Sequence, residues 1–331
     1  MNGRRDLSAL PKVHVHVHLD GSYPESAVRD LARRRGLVFE RPARFADEWQ
    51  FFDAYGTVPA LVQEADDLAA LCSALVAAEA AEGVLYLEPS IEPQLYAPRL
   101  GSIERVTGII IDALQEGAAA AGIQVGANLT INTDQDEEIA DELTDSAVAF
   151  AGRGVTALGT AGFVEPAGLG RFRSAARRAA DAGLAVVAHA GQTGGPDSIL
   201  EALDELGATR ISHGVKAVAS TELLQRLTAE GIVCDVCPVS NVALGVTPSL
   251  AEHPARQMIE SGVAVTLNAD DSLWFDHSVT DQYTVARDVW GLSDDTLGAV
   301  AANGLLLPAL DAATRSVYED SLAAWFTASP G

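Results

Sequence analysis

The chain has 331 residues, 48% of them hydrophobic, so it can bury a large core as two domains or as one large α/β barrel. Its 46 acidic and 22 basic residues give a net charge of −24, which repels nucleic acids and anionic membranes and excludes both as expected partners. Three cysteines are too few for a disulfide framework, and the lack of a signal peptide or of eighteen consecutive apolar residues predicts a soluble, cytoplasmic protein.

The first predicted strand alternates histidine with valine. It reads V-H-V-H-V-H-L-D-G from residue 13 to residue 21. In an extended strand, His14, His16 and His18 would point to one face, and neutral imidazole is the side chain that transition metals bind most often. His16 and His18 lie nearest the carboxyl end of the strand and are predicted to be metal ligands. His14 lies deeper, where a structural role is the alternative.

A helix and then a long excursion are predicted after this strand. Ser22 to Glu25 fits a capping box, and the helix should run to about Arg35. Residues 38–82 hold two helical patterns, from about Asp47 to Tyr55 and from Pro59 to Glu82. The excursion contains five aromatic residues, which either pack helices together or cover a planar ligand as an apolar lid; some are expected to line the pocket. They are Phe45, Trp49, Phe51, Phe52 and Tyr55.

Strand-like and helix-like segments alternate through the rest of the chain. With the first strand, seven apolar runs make eight strands, which predicts a (β/α)8 barrel of the TIM type with a helical insertion after strand 1. We expect one metal-dependent hydrolase domain over residues 1–331, closed by two helices after residue 279. No glycine-rich turn has phosphate-loop spacing. The runs are Val84–Glu88, Val125–Thr130, Val155–Leu158, Ala185–His189, Thr209–His213, Ile232–Cys237 and Val263–Asn268.

Histidines and carboxylates stand at the predicted strand ends, where barrel enzymes collect their catalytic groups. Three imidazoles and one carboxylate suit one Zn²⁺ per chain, which lowers the pKa of a bound water to about 7 and creates a hydroxide nucleophile. His213 would take the water proton or stabilise the nucleophile, and Asp271 would orient substrate or nucleophile. His253 and His277 lie in predicted loops and are expected to be solvated. The predicted ligands are His16, His18, His189 and Asp270.

Short motifs at these strand ends carry a family resemblance. They are H-V-H-L-D-G at 16–21, H-A-G at 189–191, S-H-G at 212–214, C-P-V-S-N at 237–241 and L-N-A-D-D at 267–271. Together they resemble the adenosine and adenine deaminase family of the metal-dependent amidohydrolases. The resemblance implies the same four zinc ligands, with His213 activating the zinc water. It also implies that Asp271 meets a purine imidazole nitrogen, that Asp20 lies near the sugar and that the Gly162 backbone meets the purine.

One position departs from the family pattern. The family has a glutamate three residues after the fifth-strand histidine, and this glutamate protonates the purine ring nitrogen. Here the position is Gln192, an amide that can donate or accept a hydrogen bond but cannot deliver a proton. Losing a general acid removes a factor of about 10² to 10⁴ in rate, so adenosine itself is not the expected substrate.

The sequence therefore predicts a zinc-dependent aminohydrolase acting on a purine-like or related nitrogen heterocycle through metal-activated hydroxide. Gln192 would contact this small-molecule substrate directly. Two alternatives stay open: a non-deaminating hydrolase or addition enzyme on a nucleoside-like ring, and a catalytically silent relative that only binds a ligand. The sequence leaves the oligomeric state unknown.

Overall fold

Parallel strands form the closed barrel that the sequence predicts. The structure, a computed structural model, describes residues 4–45, 48–162 and 168–328. Two of its eight staves are interrupted: β2 continues into β3 past Pro89, which has no N–H to donate, and β4 continues into β5 past Gly126. The strands are β1 (Lys12–His14), β2 (Val84–Leu87), β3 (Ser90–Ile91), β4 (Gln124–Val125), β5 (Ala127–Asn132), β6 (Val155–Ala161), β7 (Ala185–Ala190), β8 (Arg210–His213), β9 (Val233–Val236) and β10 (Ala264–Leu267).

Helices surround the barrel and cover its apolar outer face. Among the described residues, two helices begin after residue 279, as predicted, and a third begins at that residue. The helices are α1 (Leu19–Ser22), α2 (Glu25–Arg34), α3 (Glu48–Tyr55), α4 (Thr57–Leu61), α5 (Ala65–Ala81), α6 (Ala97–Leu100), α7 (Ile103–Ala121), α8 (Glu137–Ala149), α9 (Arg173–Asp181), α10 (Pro196–Glu205), α11 (Thr221–Glu230), α12 (Pro238–Ala243), α13 (Ala255–Glu260), α14 (Ser272–Phe275), α15 (Val279–Asp288), α16 (Asp294–Ala302) and α17 (Ala312–Thr327).

The first strand is shorter than predicted. β1 ends at His14, and the segment after it only bridges its neighbours. His16 and His18 lie beyond this strand, so the expectation that three histidines share one strand face is wrong, and the one histidine within the strand is His14. Its ring lies 2.7 Å from Glu79 through Nδ1 and accepts the Ala269 N–H through Nε2 at 3.0 Å. Both ring nitrogens are occupied, which is the structural alternative for this residue.

The barrel closes between its first and last staves through main-chain contacts at the mouth. The N–H of His18 donates to the carbonyl of Asp270 at 2.9 Å, and the N–H of Asp270 donates to the carbonyl of His16 at 3.1 Å. Val17 pairs with Asp270 in the same bridge. We call these contacts the barrel seam; they join residues that are more than 250 positions apart in the chain.

Two local predictions in the amino-terminal third need correction. Ser22 does not cap α2; it lies in α1, and its hydroxyl donates to the Asp270 carbonyl at 3.0 Å. The second helical pattern of the excursion is two helices, because the helical hydrogen bonding that begins at Thr57 stops at Leu61 and resumes at Ala65, with Glu64 as N-cap. Asp47, where the first pattern was expected to begin, lies outside the described residues.

A buried ionic network occupies the barrel interior below the mouth. Arg210 of β8 lies 2.6 Å from Asp235 and also pairs with Glu88. The Tyr86 hydroxyl donates to Glu88 at 2.7 Å, and the Thr266 hydroxyl donates to Asp235 at 2.7 Å. Arg210, Glu88 and Asp235 are each 4% exposed or less. We call these three the paired cluster, because each charge has an opposite charge in contact.

The three cysteines, Cys72, Cys234 and Cys237, are buried and free, as expected for a chain without a disulfide framework. Among the described residues, no helix combines the length and the apolar character that crossing a bilayer requires.

Candidate metal centre and substrate pocket

Four histidines and one aspartate converge at the carboxyl ends of the strands. Asp270 Oδ1 lies 3.2 Å from His16 Nε2 and 3.3 Å from His18 Nε2, and His18 Nε2 lies 3.3 Å from His189 Nε2. His213 joins them, because ligand atoms of His16, His189, His213 and Asp270 all lie within 4.8 Å of one another. We call these five residues the histidine cluster. The structure thus brings together all four predicted ligands and the predicted catalytic histidine.

Main-chain carbonyls orient two of these rings. His16 Nδ1 lies 2.8 Å from the Asp235 carbonyl, and His189 Nδ1 lies 2.5 Å from the Thr160 carbonyl. A carbonyl only accepts, so each Nδ1 carries the proton and each Nε2 lone pair faces the cluster. Such bonds are usual behind the histidine ligands of metal ions. The Ser240 hydroxyl donates to the other Asp270 oxygen, Oδ2, at 2.6 Å.

Two atoms at the centre of the cluster lack partners. His16 Nε2 and Asp270 Oδ1 are buried and form no hydrogen bond with the described residues. A buried polar atom without a partner costs about 1 to 3 kcal/mol. Asp270 and His213 also adopt left-handed backbone conformations, with φ of 66° and 69°, which cost non-glycine residues about 1 to 3 kcal/mol each. The surrounding fold therefore holds these residues in conformations that they do not prefer locally, which is common at functional sites.

The charges of the cluster favour a cation at its centre. Burial raises the pKa of Asp270, but His16 and His18 outweigh it and hold the pKa well below the usual range. Burial, then His16, lowers the pKa of His189 and His213, so both are neutral and able to act as ligands or hydrogen-bond partners. Burial opposes a proton on His18, yet Asp271 and Asp270 raise its pKa to about 10.

A chain of directed hydrogen bonds fixes the tautomer of His213. The Ala255 N–H donates to His253 Nδ1 at 3.1 Å, so His253 carries its proton on Nε2, 3.1 Å from Asn241 Oδ1. The Asn241 amide then donates through Nδ2 to His213 Nδ1 at 3.1 Å. A neutral His213 must therefore hold its proton on Nε2, which lies 3.9 Å from Asp270.

His253 is not solvated, contrary to the sequence-based expectation. It is 3% exposed and its ring stacks on Trp290, with ring centres 5.6 Å apart. His277 is half-buried, and its Nδ1 donates to the Phe275 carbonyl at 2.7 Å. Sequence reasoning missed His253 because its burial depends on a tryptophan far along the chain.

An open cavity of about 300 Å³ lies above the histidine cluster, within the usual range for small-molecule sites. It is lined by Gln192, Gly162 and Asp271, as the family resemblance implies, whereas Asp20 does not line it. Asp20 lies fully buried beside it, where its carboxylate accepts a hydrogen bond from Tyr96. A Cβ on the adjacent Gly21 would lie 1.8 Å from Asp271 Oδ1, so this glycine makes room for Asp271.

The aromatic excursion contributes to the cavity wall. Four of its five aromatic residues line the cavity, and Phe45 packs on Phe51 with ring centres 5.3 Å apart. Phe51 in turn stacks on Phe275 at 5.4 Å. Helix packing and pocket formation are therefore both roles of this segment. The four residues at the cavity are Trp49, Phe51, Phe52 and Tyr55.

Sequence reasoning also missed Glu92 and Asp134, two carboxylates of the cavity wall. Glu92 follows β3 and is 4% exposed. No periodic pattern marks either residue. The only sequence signal was position, since each lies just beyond the carboxyl end of a predicted strand.

Comparisons with known proteins agree with this geometry. The family model described as "Adenosine deaminase" matches residues 11–325. An adenine deaminase of Bordetella parapertussis is 34% identical over 311 residues, covering 90% of this chain and 96% of that protein. The crystal structure of an adenine deaminase from Arthrobacter aurescens superposes with a TM-score of 0.88 at 29% identity, covering 96% of this chain and 100% of that chain. A zinc-bound amidohydrolase of Burkholderia ambifaria, 23% identical with a TM-score of 0.86 over 97% of this chain and 91% of that chain, shares the fold.

Proposed function

The chain belongs to the adenosine deaminase family of metal-dependent hydrolases, and we propose that it is a zinc-dependent aminohydrolase that deaminates a purine-like nitrogen heterocycle. One observation carries the proposal: three imidazoles and Asp270 converge on the floor of an open cavity with two buried atoms left unpaired. Ordered protein structures rarely leave buried polar atoms without partners, so the arrangement is complete only with a cation.

The donor set fits a zinc ion. Three imidazole nitrogens and one carboxylate oxygen are ligands that Zn²⁺ prefers, and the carbonyl bonds behind His16 and His189 present the correct lone pairs. When bound, the ion would lower the pKa of a water ligand to about 7 and so supply a nucleophile at neutral pH. The residues that would hold it are His16, His18, His189 and Asp270.

The remaining residues would position and polarise the reactants. In the tautomer set by Asn241, His213 Nε2 is a donor, so His213 would stabilise the oxygen of the nucleophile as it attacks. Burial and the adjacent Asp270 raise the pKa of Asp271, whose carboxyl would hydrogen-bond a ring nitrogen and orient the ring. The Gln192 amide would hydrogen-bond the ring edge beside the carbon under attack.

Metal content and ammonia release test the proposal together. The zinc-loaded protein should release ammonia from one class within a panel of aminated purines, pterins and pyrimidines. His16→Gln should bind little zinc and release none, whereas His277→Gln, a matched change outside the cluster, should retain both properties. A fully loaded protein that releases no ammonia from any ring of the panel contradicts the proposal.

The amide at Gln192 favours a second candidate, a relative that binds or otherwise hydrolyses a heterocycle without deaminating it. Ligand binding without ammonia release, with metal loaded, would select this candidate. Gain of adenosine turnover in Gln192→Glu would instead support a deaminase active site that has been redirected to another ring.

A further inference from the structure

The wall of the cavity is strongly acidic. Its lining includes Glu92, Asp134 and Asp271 in addition to Asp270, and no lysine or arginine lines it among the described residues. Asp20 adds a fifth carboxyl in the layer beneath. Glu92 and Asp271 are buried, whereas Asp134 is exposed at the rim. Carboxylates that have lost hydration bind a positively charged group better than a neutral one.

The basic groups that approach the cavity are turned to main-chain atoms. Arg171 donates to the carbonyl of Thr133, and its guanidinium also lies over the Phe172 ring. Lys216 donates to the carbonyl of Val246 at 3.2 Å. Neither forms a recorded ion pair with the cavity carboxylates, and so neither neutralises the acidic wall.

Glu92 is one of the carboxyl groups near this cavity whose negative charge is destabilised by burial. Burial raises the pKa of Glu92 to about 7, helped by Asp134 and opposed by His18. Its carboxylate is 3.3 Å from the side-chain amide of Gln94, which is neutral. A cationic ligand next to Glu92 would stabilise its ionised form.

Aromatic faces stand beside the carboxylates. Trp49, Phe51, Phe52 and Tyr55 line the same cavity as Glu92. The faces of aromatic rings attract cations, and cages that combine aromatic rings with carboxylates recognise alkylated nitrogen cations.

Gln192 suits a ring nitrogen that needs no proton. Its side chain is half-buried at the cavity, and its amide forms no hydrogen bond with the described residues. When a hydroxyl group adds to a neutral C=N bond, the electron pair moves to nitrogen and a proton must arrive there. An amide cannot supply that proton, whereas a nitrogen that is already positive does not require it.

From the acidic wall, the aromatic residues of the cavity and the Gln192 amide, we propose that the substrate is a heterocyclic amidinium cation. This is an amino-substituted ring in which the nitrogen beside the amino-bearing carbon carries an alkyl group or a proton. This inference rests on the proposed function. Water forms a C–O bond to that carbon, the C=N⁺ electron pair moves to the ring nitrogen and cancels its charge, and the C–NH₂ bond breaks. The amino group takes up both protons of the water, so cation and water give the neutral lactam, with the alkyl group or proton still on its ring nitrogen, and ammonium.

Matched pairs of cationic and neutral rings test the substrate class. With zinc-loaded protein, kcat/KM for 1-methyladenosine or 1-methyladenine should exceed that for adenosine or adenine by at least about a hundredfold, the low end of the usual contribution of a general acid. Adenosine 5′-monophosphate, which brings negative charge to the acidic wall, should be the poorest substrate. Gln192→Glu should gain activity on the neutral rings and so lower the ratio of kcat/KM for the cationic ring to that for the neutral ring.

Binding without turnover gives a second readout. In metal-depleted protein, calorimetry should show 1-methyladenosine binding at least about tenfold more tightly than adenosine, and the difference should shrink as salt is added. Glu92→Gln and Asp134→Asn should remove most of this difference by weakening the binding of 1-methyladenosine more than that of adenosine. Glu104→Gln, which removes an exposed carboxylate from the first turn of α7, is the matched control. It should change neither the binding of 1-methyladenosine nor that of adenosine.

The outcomes separate this inference from the proposed function. Faster deamination of the neutral rings, or equal binding of cation and neutral ring, overturns the inference and leaves the deaminase intact. No ammonia from any cationic or neutral ring by fully loaded protein overturns both.

Discussion

The paired cluster and the histidine cluster are both buried, and they occupy successive levels of the same strands. Arg210 and His213 lie three residues apart on β8, and Asp235, a member of the paired cluster, holds His16 through its carbonyl. In the paired cluster, each charged side chain forms an ion pair with an oppositely charged side chain of the protein. The histidine cluster leaves two atoms unpaired and places two residues in left-handed conformations. Arg210 Nε and Asp235 Oδ2 also lack a hydrogen bond among the described residues, but they form an ion pair at 2.6 Å. The protein thus balances the charges of the first cluster itself, whereas we infer that a bound cation completes the second.

We expect the largest loss of stability when the paired cluster is broken. Arg210→Met leaves Glu88 and Asp235 buried without their cation, and removing one partner of a buried ion pair costs about 3 to 5 kcal/mol. Urea unfolding of the metal-depleted protein should show this loss. An unchanged unfolding midpoint would mean that the two carboxyl groups are protonated and that the cluster is not ionic.

Removing a charge from the cavity wall should raise the free energy of unfolding, whereas Arg210→Met lowers it. Burial raises the pKa of Glu92 from 4.5 to about 7, so the folded protein holds this proton more tightly than the unfolded chain does. The ionised carboxylate therefore costs stability from about pH 4.5 upward, and the full cost is present above pH 7. Glu92→Gln should stabilise the metal-depleted protein by up to about 3 kcal/mol at pH 8 and by little at pH 4.5. Equal stabilisation at both pH values would contradict this reasoning.

A smaller effect should follow from reversing the bond that orients His213. In Asn241→Asp the carboxylate cannot donate to His213 Nδ1, so the proton moves from Nε2 to Nδ1. We expect kcat to fall by about ten- to a hundredfold with stability nearly kept, as for changes behind metal ligands. Nitrogen-15 NMR of the histidine ring checks the tautomer directly.

The matched control for this change is Asn303→Asp, because the Asn303 amide donates to the Val265 carbonyl away from the cavity. It should lower stability and leave kcat unchanged. If both variants lose kcat equally, the orienting role of Asn241 is wrong.

The smallest effect should come from a charge pair outside both clusters. Arg256 and Glu260 form an i,i+4 pair at 2.8 Å on α13, and both side chains are more than half exposed. Arg256→Met should change the free energy of unfolding by less than about 0.5 kcal/mol. A larger loss would show that the contrast between buried and exposed pairs is smaller than we infer.

The sequence predicted the barrel and the meeting of His16, His18, His189 and Asp270, because strand alternation and the rule that parallel strand ends share one edge need no tertiary detail. The roles of these residues stay predictions until metal and turnover are measured. The same reasoning ended β1 too late, since alternation of histidine and valine continues past the point where main-chain pairing stops.

Other features depended on contacts that no local pattern encodes. Ser22 fits a helix cap in sequence, but its hydroxyl donates a hydrogen bond to the carbonyl of Asp270 instead. The loop position of His253 predicts a solvated side chain, because nothing in the sequence shows that Trp290 and Asn241 contact its ring. Glu92 stands among polar and proline residues that predict a loop, and its burial arises only when the excursion covers it.

The barrel seam sets the order in which a growing polypeptide can acquire its ion. Asp270 is translated more than 250 residues after His16 and His18, and it also supplies the main-chain groups that hold them in place. A partly synthesised chain therefore has only an incomplete chelate. We therefore expect metal capture to follow translation of Asp270.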